Sequence, residues 1–190
     1  AGSKTPTILT VDTLIGTSIQ TSATSGSFRW CVAQNYPRII VFERSGYISV
    51  TSRVILNDPY CTIYGQTAPG VGVTLRGYPL VIMADHVIVQ HMRFRLDPVL
   101  DEGEDAFDIW DGGDIFIDHC SMSWGEDEVG SIGAQADSRI TISNCIISEG
   151  TRPGTEQTMG FLVNVGDSIS FIRNLFAHCA QRQPLINSTT

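Results

Sequence analysis

Gly113-Asp114-Ile115-Phe116-Ile117-Asp118-His119-Cys120 decides the reading of the fold, because the chain repeats its pattern. Asp85-His86-Val87-Ile88-Val89-Gln90-His91-Met92, Arg139-Ile140-Thr141-Ile142-Ser143-Asn144-Cys145 and Ser168-Ile169-Ser170-Phe171-Ile172-Arg173-Asn174-Leu175 align with it on one polar residue. The aligned residues are His91, His119, Asn144 and Asn174, separated by 28, 25 and 30 positions. Two positions earlier stands Val89, Ile117, Ile142 or Ile172, and just after comes Met92, Cys120, Cys145 or Leu175. A period in the twenties, with one short alternating strand at constant phase, is the mark of a β-solenoid. No coil buries its apolar face alone, and stacked coils share one core. Like residues then stack, so the His/Asn column is expected as an inward polar ladder closed by side-chain hydrogen bonds.

Upstream of the repeat, Arg38–Phe42, Tyr47–Val50, Cys61–Tyr64 and Val73–Arg76 read as short strands with Gly or Pro punctuation. Gly26–Asn35 has a helical pattern and is placed as a cap on the open end of the stack, and Thr17–Ser27 is read as a loop. The fold expected is all-β, a right-handed parallel β-helix with a short N-terminal capping helix; the hand follows the general bias of crossover connections. The 190 residues are read as one domain. Its C-terminal coils are expected to lie outside this sequence, with a missing segment or a partner covering that end.

Composition narrows the function. Hydrophobic residues are 42% and charged residues 17%, too apolar a balance for a disordered chain. No apolar run approaches the roughly 20 residues of a spanning helix, so no membrane role is expected. Twelve basic against 20 acidic side chains give a net charge of −8, which argues against nucleic acid as partner. Cys31, Cys61, Cys120, Cys145 and Cys179 form no CxxC pair and are read as free buried thiols.

The placement of the acidic charge says more than its total. Twelve of the 20 carboxylates lie between Asp97 and Glu128, with no Lys or Arg among them. Strand-like stretches at Ala106–Trp110 and Ile115–Met122 interrupt the run, so these carboxylates are spread over adjacent strands and turns. Like charges held so close repel unless a cation sits among them, and hard oxygen ligands favour Ca²⁺. The chain has no EF-hand loop, so a calcium site would be assembled from separate turns.

Several stretches, in order, resemble the pectate lyases of polysaccharide lyase family 1. Gly26-Ser27-Phe28-Arg29 with Pro37–Phe42 is similar to their N-terminal cap and first strand. Ile63–Gly70 is similar to an early turn, and Ile115–Ser121 to their most recognisable strand. Asp127-Glu128-Val129 and Ile140–Asn144 follow, and Asn174-Leu175-Phe176 with Gln181-Arg182-Gln183-Pro184 is similar to the loop with the catalytic Arg. The resemblance implies a secreted, Ca²⁺-dependent lyase acting on an acidic polysaccharide such as pectate. Calcium would hold the uronate carboxylate while an Arg removes the C5 proton. Asp105 and Asp127 match calcium carboxylates, with Glu128 as a third; Arg182 matches the base; Asp118 reads as a structural hydrogen-bonding residue. Arg152, His178 and Trp124 are candidates for substrate binding, Trp110 a further candidate for stacking on sugar rings, and His119 a ladder residue rather than a base.

The chain also departs from that pattern. Gly103, between Glu102 and Glu104, stands where the family often has Asp. Ser131 replaces a further calcium Asp, Met159 a substrate-binding Lys, and Leu185 a second Arg. Three other readings stand beside the lyase. One is a carbohydrate-binding solenoid of the phage tailspike or adhesin kind. Another is a hydrolase using a carboxylate pair on the same fold. The last is a structural repeat protein whose turns bind calcium for stability.

Overall fold

The computed structural model describes residues 5–16, 24–97, 103–133, 138–151 and 158–187. Arg152 and most of the 17–27 loop lie outside the described residues. The chain enters through β1 (Thr7–Val11) and α1 (Phe28–Val32), then winds through six three-stranded coils. These are β2 (Arg38–Phe42), β3 (Gly46–Ser49) and β4 (Val54–Leu56); β5 (Cys61–Tyr64), β6 (Val73–Gly77) and β7 (Leu80–Met83); β8 (Val87–Gln90), β9 (Arg93–Leu96) and β10 (Phe107–Asp111); β11 (Ile115–Asp118), β12 (Ser121–Ser123) and β13 (Glu128–Ile132); β14 (Ile140–Ser143), β15 (Ile146–Ser148) and β16 (Met159–Val163); and β17 (Ile169–Ile172), β18 (Leu175–Ala177) and β19 (Leu185–Ile186). Corresponding strands of successive coils pair in parallel, giving three sheets: β1-β2-β5-β8-β11-β14-β17, β3-β6-β9-β12-β15-β18 and β4-β7-β10-β13-β16-β19. The expected parallel β-solenoid is the fold found. No helix among the described residues is long and apolar enough to cross a membrane.

Alternation within each strand supplies the core. Ile40, Ile63, Val89, Ile117 and Ile142 point inward from the first sheet and are fully buried. The coils turn at corners where non-glycine residues adopt left-handed backbone angles, a conformation uncommon outside Gly, Asn and Asp. His91, His119, Asn144 and Arg173 share one such corner, with φ between +52° and +54°.

That corner corrects the expected ladder in two ways. Register pairs Ser143 with Ile172, so Arg173 and not Asn174 follows Asn144, and its Nε donates to Asn144 Oδ1 at 2.8 Å. Phe171 and Ile172 adjoin, so hydrophobicity alone allowed either to face inward. Phe171 is the one that packs, edge-on to Phe161 at 5.4 Å, leaving Ile172 exposed. A shift of one residue exchanges the two faces of a strand. The left-handed corner also turns the His column outward: His91 and His119 are exposed and stack at 4.8 Å. The inward column is the next one, Met92, Cys120 and Cys145, closed by Asn174, whose Oδ1 accepts from Cys145 N at 2.8 Å.

Asp118 is the hub below this corner. Its carboxylate accepts from Ser143 Oγ at 2.6 Å, Asn144 Nδ2 at 2.8 Å and Gln90 Nε2 at 3.2 Å, and meets His119 Nδ1 at 2.8 Å. Burial alone would raise its pKa, but these bonds outweigh burial and hold it well below the ordinary carboxylate range. The stability it supplies is therefore present above about pH 4, the unfolded value, and is lost as pH falls through the lower folded value. Asp118→Asn turns two donors toward an amide N–H₂ and is expected to cost about 2 kcal/mol, read as a lower denaturation midpoint at pH 7. The deficit should shrink in acid, and a midpoint equal to the parent's at pH 7 would count against the hub.

The helix is shorter than expected, five residues, with Ser27 Oγ accepting from Trp30 N. Phe28, Cys31 and Val32 cover the first coil. All five cysteines are free and buried, and burial pushes the Cys31 thiol up to about 12, a chemically inert state.

Candidate active site

The acidic turns between the second and third sheets build the site. Asp105 lies just before β10 in the third coil; Asp127 lies just before β13 in the fourth, which Glu128 begins. The 125–128 turn requires glycine at its start, since a Cβ on Gly125 would lie 1.7 Å from Glu128 O. Asp105 Oδ1 accepts from Glu128 N at 2.8 Å, and the carbonyl of Glu104 accepts from Glu126 N at 2.8 Å. Two adjacent coils are thereby laced together, and one carboxylate oxygen from each of Asp105, Asp127 and Glu128 falls within 4.8 Å of the others.

A cleft of about 280 Å³ opens over these residues. Arg53, Glu104, Trp110, Asp108, Ser131 and Asn164 complete much of its wall. Burial, with the charge of Asp108 next, pushes the Asp105 carboxyl well above its ordinary range; Asp108 is raised by burial as well. Ser131 Oγ donates to Asp108 Oδ1 at 2.7 Å, and the two residues are register partners across the third sheet. The donor set is all oxygen, anionic and largely buried, which suits a hard cation such as Ca²⁺.

Arg182 reaches the same cluster from the sixth coil. Its Nη1 forms an ion pair with Glu128 Oε1. Glu128 pairs in register with Met159, which in turn bridges to Gln181, so Arg182 stretches back across the fifth coil. Met159 is buried and brings no charge to that place, and Leu185, register partner of Leu162, is exposed at the last strand.

The structure thus brings together Asp105, Asp127, Glu128 and Arg182, which come from three different coils. Trp124 and His178 do not join them. Both sit with Glu149 at the left-handed corner that precedes the third sheet, where Trp124 Nε1 donates to Glu149 Oε2 at 2.9 Å and His178 is exposed. The indole that lines the cleft is Trp110, with the Arg53 guanidinium 4.9 Å from its ring centre. Arg53, Asp108 and Asn164 were missed by sequence reasoning. Asp108 belonged to the acidic run, but nothing local distinguishes it from its solvated neighbours, and Arg53 enters only through stacking of the first coil.

No family model matches the sequence. The chain is 39% identical over 162 residues, 85% of its length, to a protein of Aspergillus terreus named probable pectate lyase C, of which the match covers 37%. It is 36% identical over 171 residues, 90% of the chain and 39% of the relative, to a probable pectate lyase C of Neosartorya fischeri. A probable pectin lyase A of Aspergillus fumigatus is 27% identical over 184 residues, 92% of the chain and 47% of the relative. The chain spans about two fifths of the length of the pectate lyase C relatives it matches.

Proposed function

We propose that this parallel β-helix, similar over most of its length to proteins named probable pectate lyase C, is a secreted, Ca²⁺-dependent lyase of an acidic, uronate-containing polysaccharide such as pectate, cleaving by β-elimination. The observation that carries the proposal is the convergence of Asp105, Asp127 and Glu128 within 4.8 Å, with Arg182 paired to the last of them. A net charge of −8 would otherwise repel a polyanionic substrate, so the cluster needs a cation between it and the polymer.

Asp105, Asp127 and Glu128 would hold Ca²⁺, which when bound neutralises the uronate carboxylate and so makes the neighbouring C5 proton easier to remove. Trp110 supplies an apolar wall for a sugar ring, and Asn164 a polar group on the same cleft. Arg182 is the proposed acceptor of the C5 proton, on a nitrogen of its neutral guanidine form. A guanidinium is ordinarily charged, and the Glu128 contact favours that form. Proton transfer to Arg182 therefore requires Glu128 to release it and one guanidinium N–H proton to pass first to solvent; uptake of the C5 proton then restores the charged form. Departure of the 4-linked sugar, its oxygen taking a proton from water, then leaves a double bond between C4 and C5 of the new non-reducing end.

Incubation with a pectate polymer tests the reading. The expected result is growth of the ultraviolet absorbance of an unsaturated uronate, abolished by chelator and restored by calcium. Reducing sugar without that chromophore would make the protein a hydrolase instead.

A further inference from the structure

We propose that Arg53 is a positioning residue for the acidic cluster, acting from the first coil through Glu104; the inference rests on the cation reading above. Arg53 precedes β4, two coils away from β10 along the third sheet. Its Nε donates to Glu104 Oε2 at 2.8 Å and its Nη2 to Glu104 Oε1 at 2.5 Å, a two-pronged grip on a buried carboxylate. The grip is itself anchored. The carbonyls of Arg53 and Ser52 each accept from the buried Arg29 guanidinium at 2.7 Å, which ties this turn to the capping helix. On its other side the Arg53 guanidinium lies over Trp110.

Glu104 is the residue through which the two cation-bearing turns meet. Its carbonyl accepts from Glu126 N at 2.8 Å and Asp127 N at 3.4 Å, and the next residue, Asp105, accepts from Glu128 N. Gly103 N donates to Glu126 Oε2 at 3.1 Å. The 103–105 and 126–128 segments therefore form one laced unit, and the Arg53 fork fastens that unit to the first coil. Without it, the Glu104 carboxylate would join Asp105, Asp108 and Asp127 in mutual repulsion, and the turns would be pressed apart. Oxygen ligands of a divalent cation must be held to within a fraction of an ångström, so a loosened Glu104 acts on cation affinity without touching the ion.

The sign of the effect separates positioning from plain electrostatics. Removing a positive charge beside a cation site strengthens cation binding by Coulomb's law; losing a positioning contact weakens it. Calorimetric titration with Ca²⁺ alone is the test, on the parent, on Arg53→Met and on Arg53→Lys, with melting in chelator as the check of folding. Arg53→Met is expected to bind at least about tenfold more weakly than the parent, the lower end of losses for groups that orient metal ligands. Arg53→Lys keeps the charge but not the fork and is expected to be weakened too, to a smaller degree. Parental or tighter binding by a folded Arg53→Met, or by Arg53→Lys should the first not fold, overturns the proposal. A folded parent that takes up no Ca²⁺ would instead sink the cation reading on which it stands.

Discussion

Arg182→Lys is expected to lower the rate of unsaturated product formation by at least about a hundredfold, the lower end of general-base contributions, while polymer affinity is nearly kept. Lysine preserves the positive charge that Glu128 holds, so the resting ion pair and the charge balance of the cleft persist. It removes the planar fork and places its nitrogen elsewhere, which separates proton transfer from binding. Steady-state kinetics on pectate give the split: kcat should fall and KM should stay close to the parent value. A substitution that raised KM alone would show Arg182 to be a substrate contact and not the base. Unchanged kcat would remove it from the chemistry, and attention would pass to the carboxylates that line the cleft beside it.

The fold was legible because the solenoid writes one strand at one phase, coil after coil. Ile115–Asp118 and Ile140–Ser143 pair in the register that alignment on His119 and Asn144 requires. Register failed in the last coil, where Phe171 and Ile172 are both apolar and only packing against Phe161 and Phe176 chooses between them. The orientation of the His column was lost for a different reason. A left-handed corner residue does not follow the in-out alternation of the strand before it, so period-two reasoning sent His91 and His119 to the wrong side. The third sheet was the hardest to see, since β4 and β19 have three and two residues.

For the site, the acidic run and the resemblance together pointed to Asp105, Asp127, Glu128 and Arg182, which the structure places side by side. Trp124 was chosen over Trp110 without any knowledge of which face each corner presents. Which coil lies beneath which decides that, and long-range stacking is not written in local sequence. The same holds for Glu104, whose side chain could have been counted among the cation ligands until Arg53 is seen to hold it.

Asp105→Asn is expected to change the sign of its effect on stability with calcium. In chelator the parent buries the Asp105 and Asp108 carboxyls against each other, and burial holds both above their ordinary range. A group whose folded pKa is raised costs nothing below its unfolded value, near pH 4, and its penalty grows as pH rises toward the folded value. Asparagine removes that penalty with little loss of contact: its Oδ1 can still accept from Glu128 N, and its N–H₂ can donate to Asp108. The variant should therefore melt several degrees above the parent in chelator at pH 7, with the advantage vanishing near pH 4. With calcium the order reverses. Binding to the folded state alone would stabilise the parent by about 2.7 kcal/mol at a hundred times its dissociation constant, and a variant lacking one ligand charge forfeits most of this. Thermal melts in four conditions, chelator and millimolar calcium at pH 4 and pH 7, decide the matter. If Asp105→Asn melts below the parent in chelator at pH 7, the buried carboxylate is compensated by the protein itself. Cation binding would then have no electrostatic debt to relieve at that position.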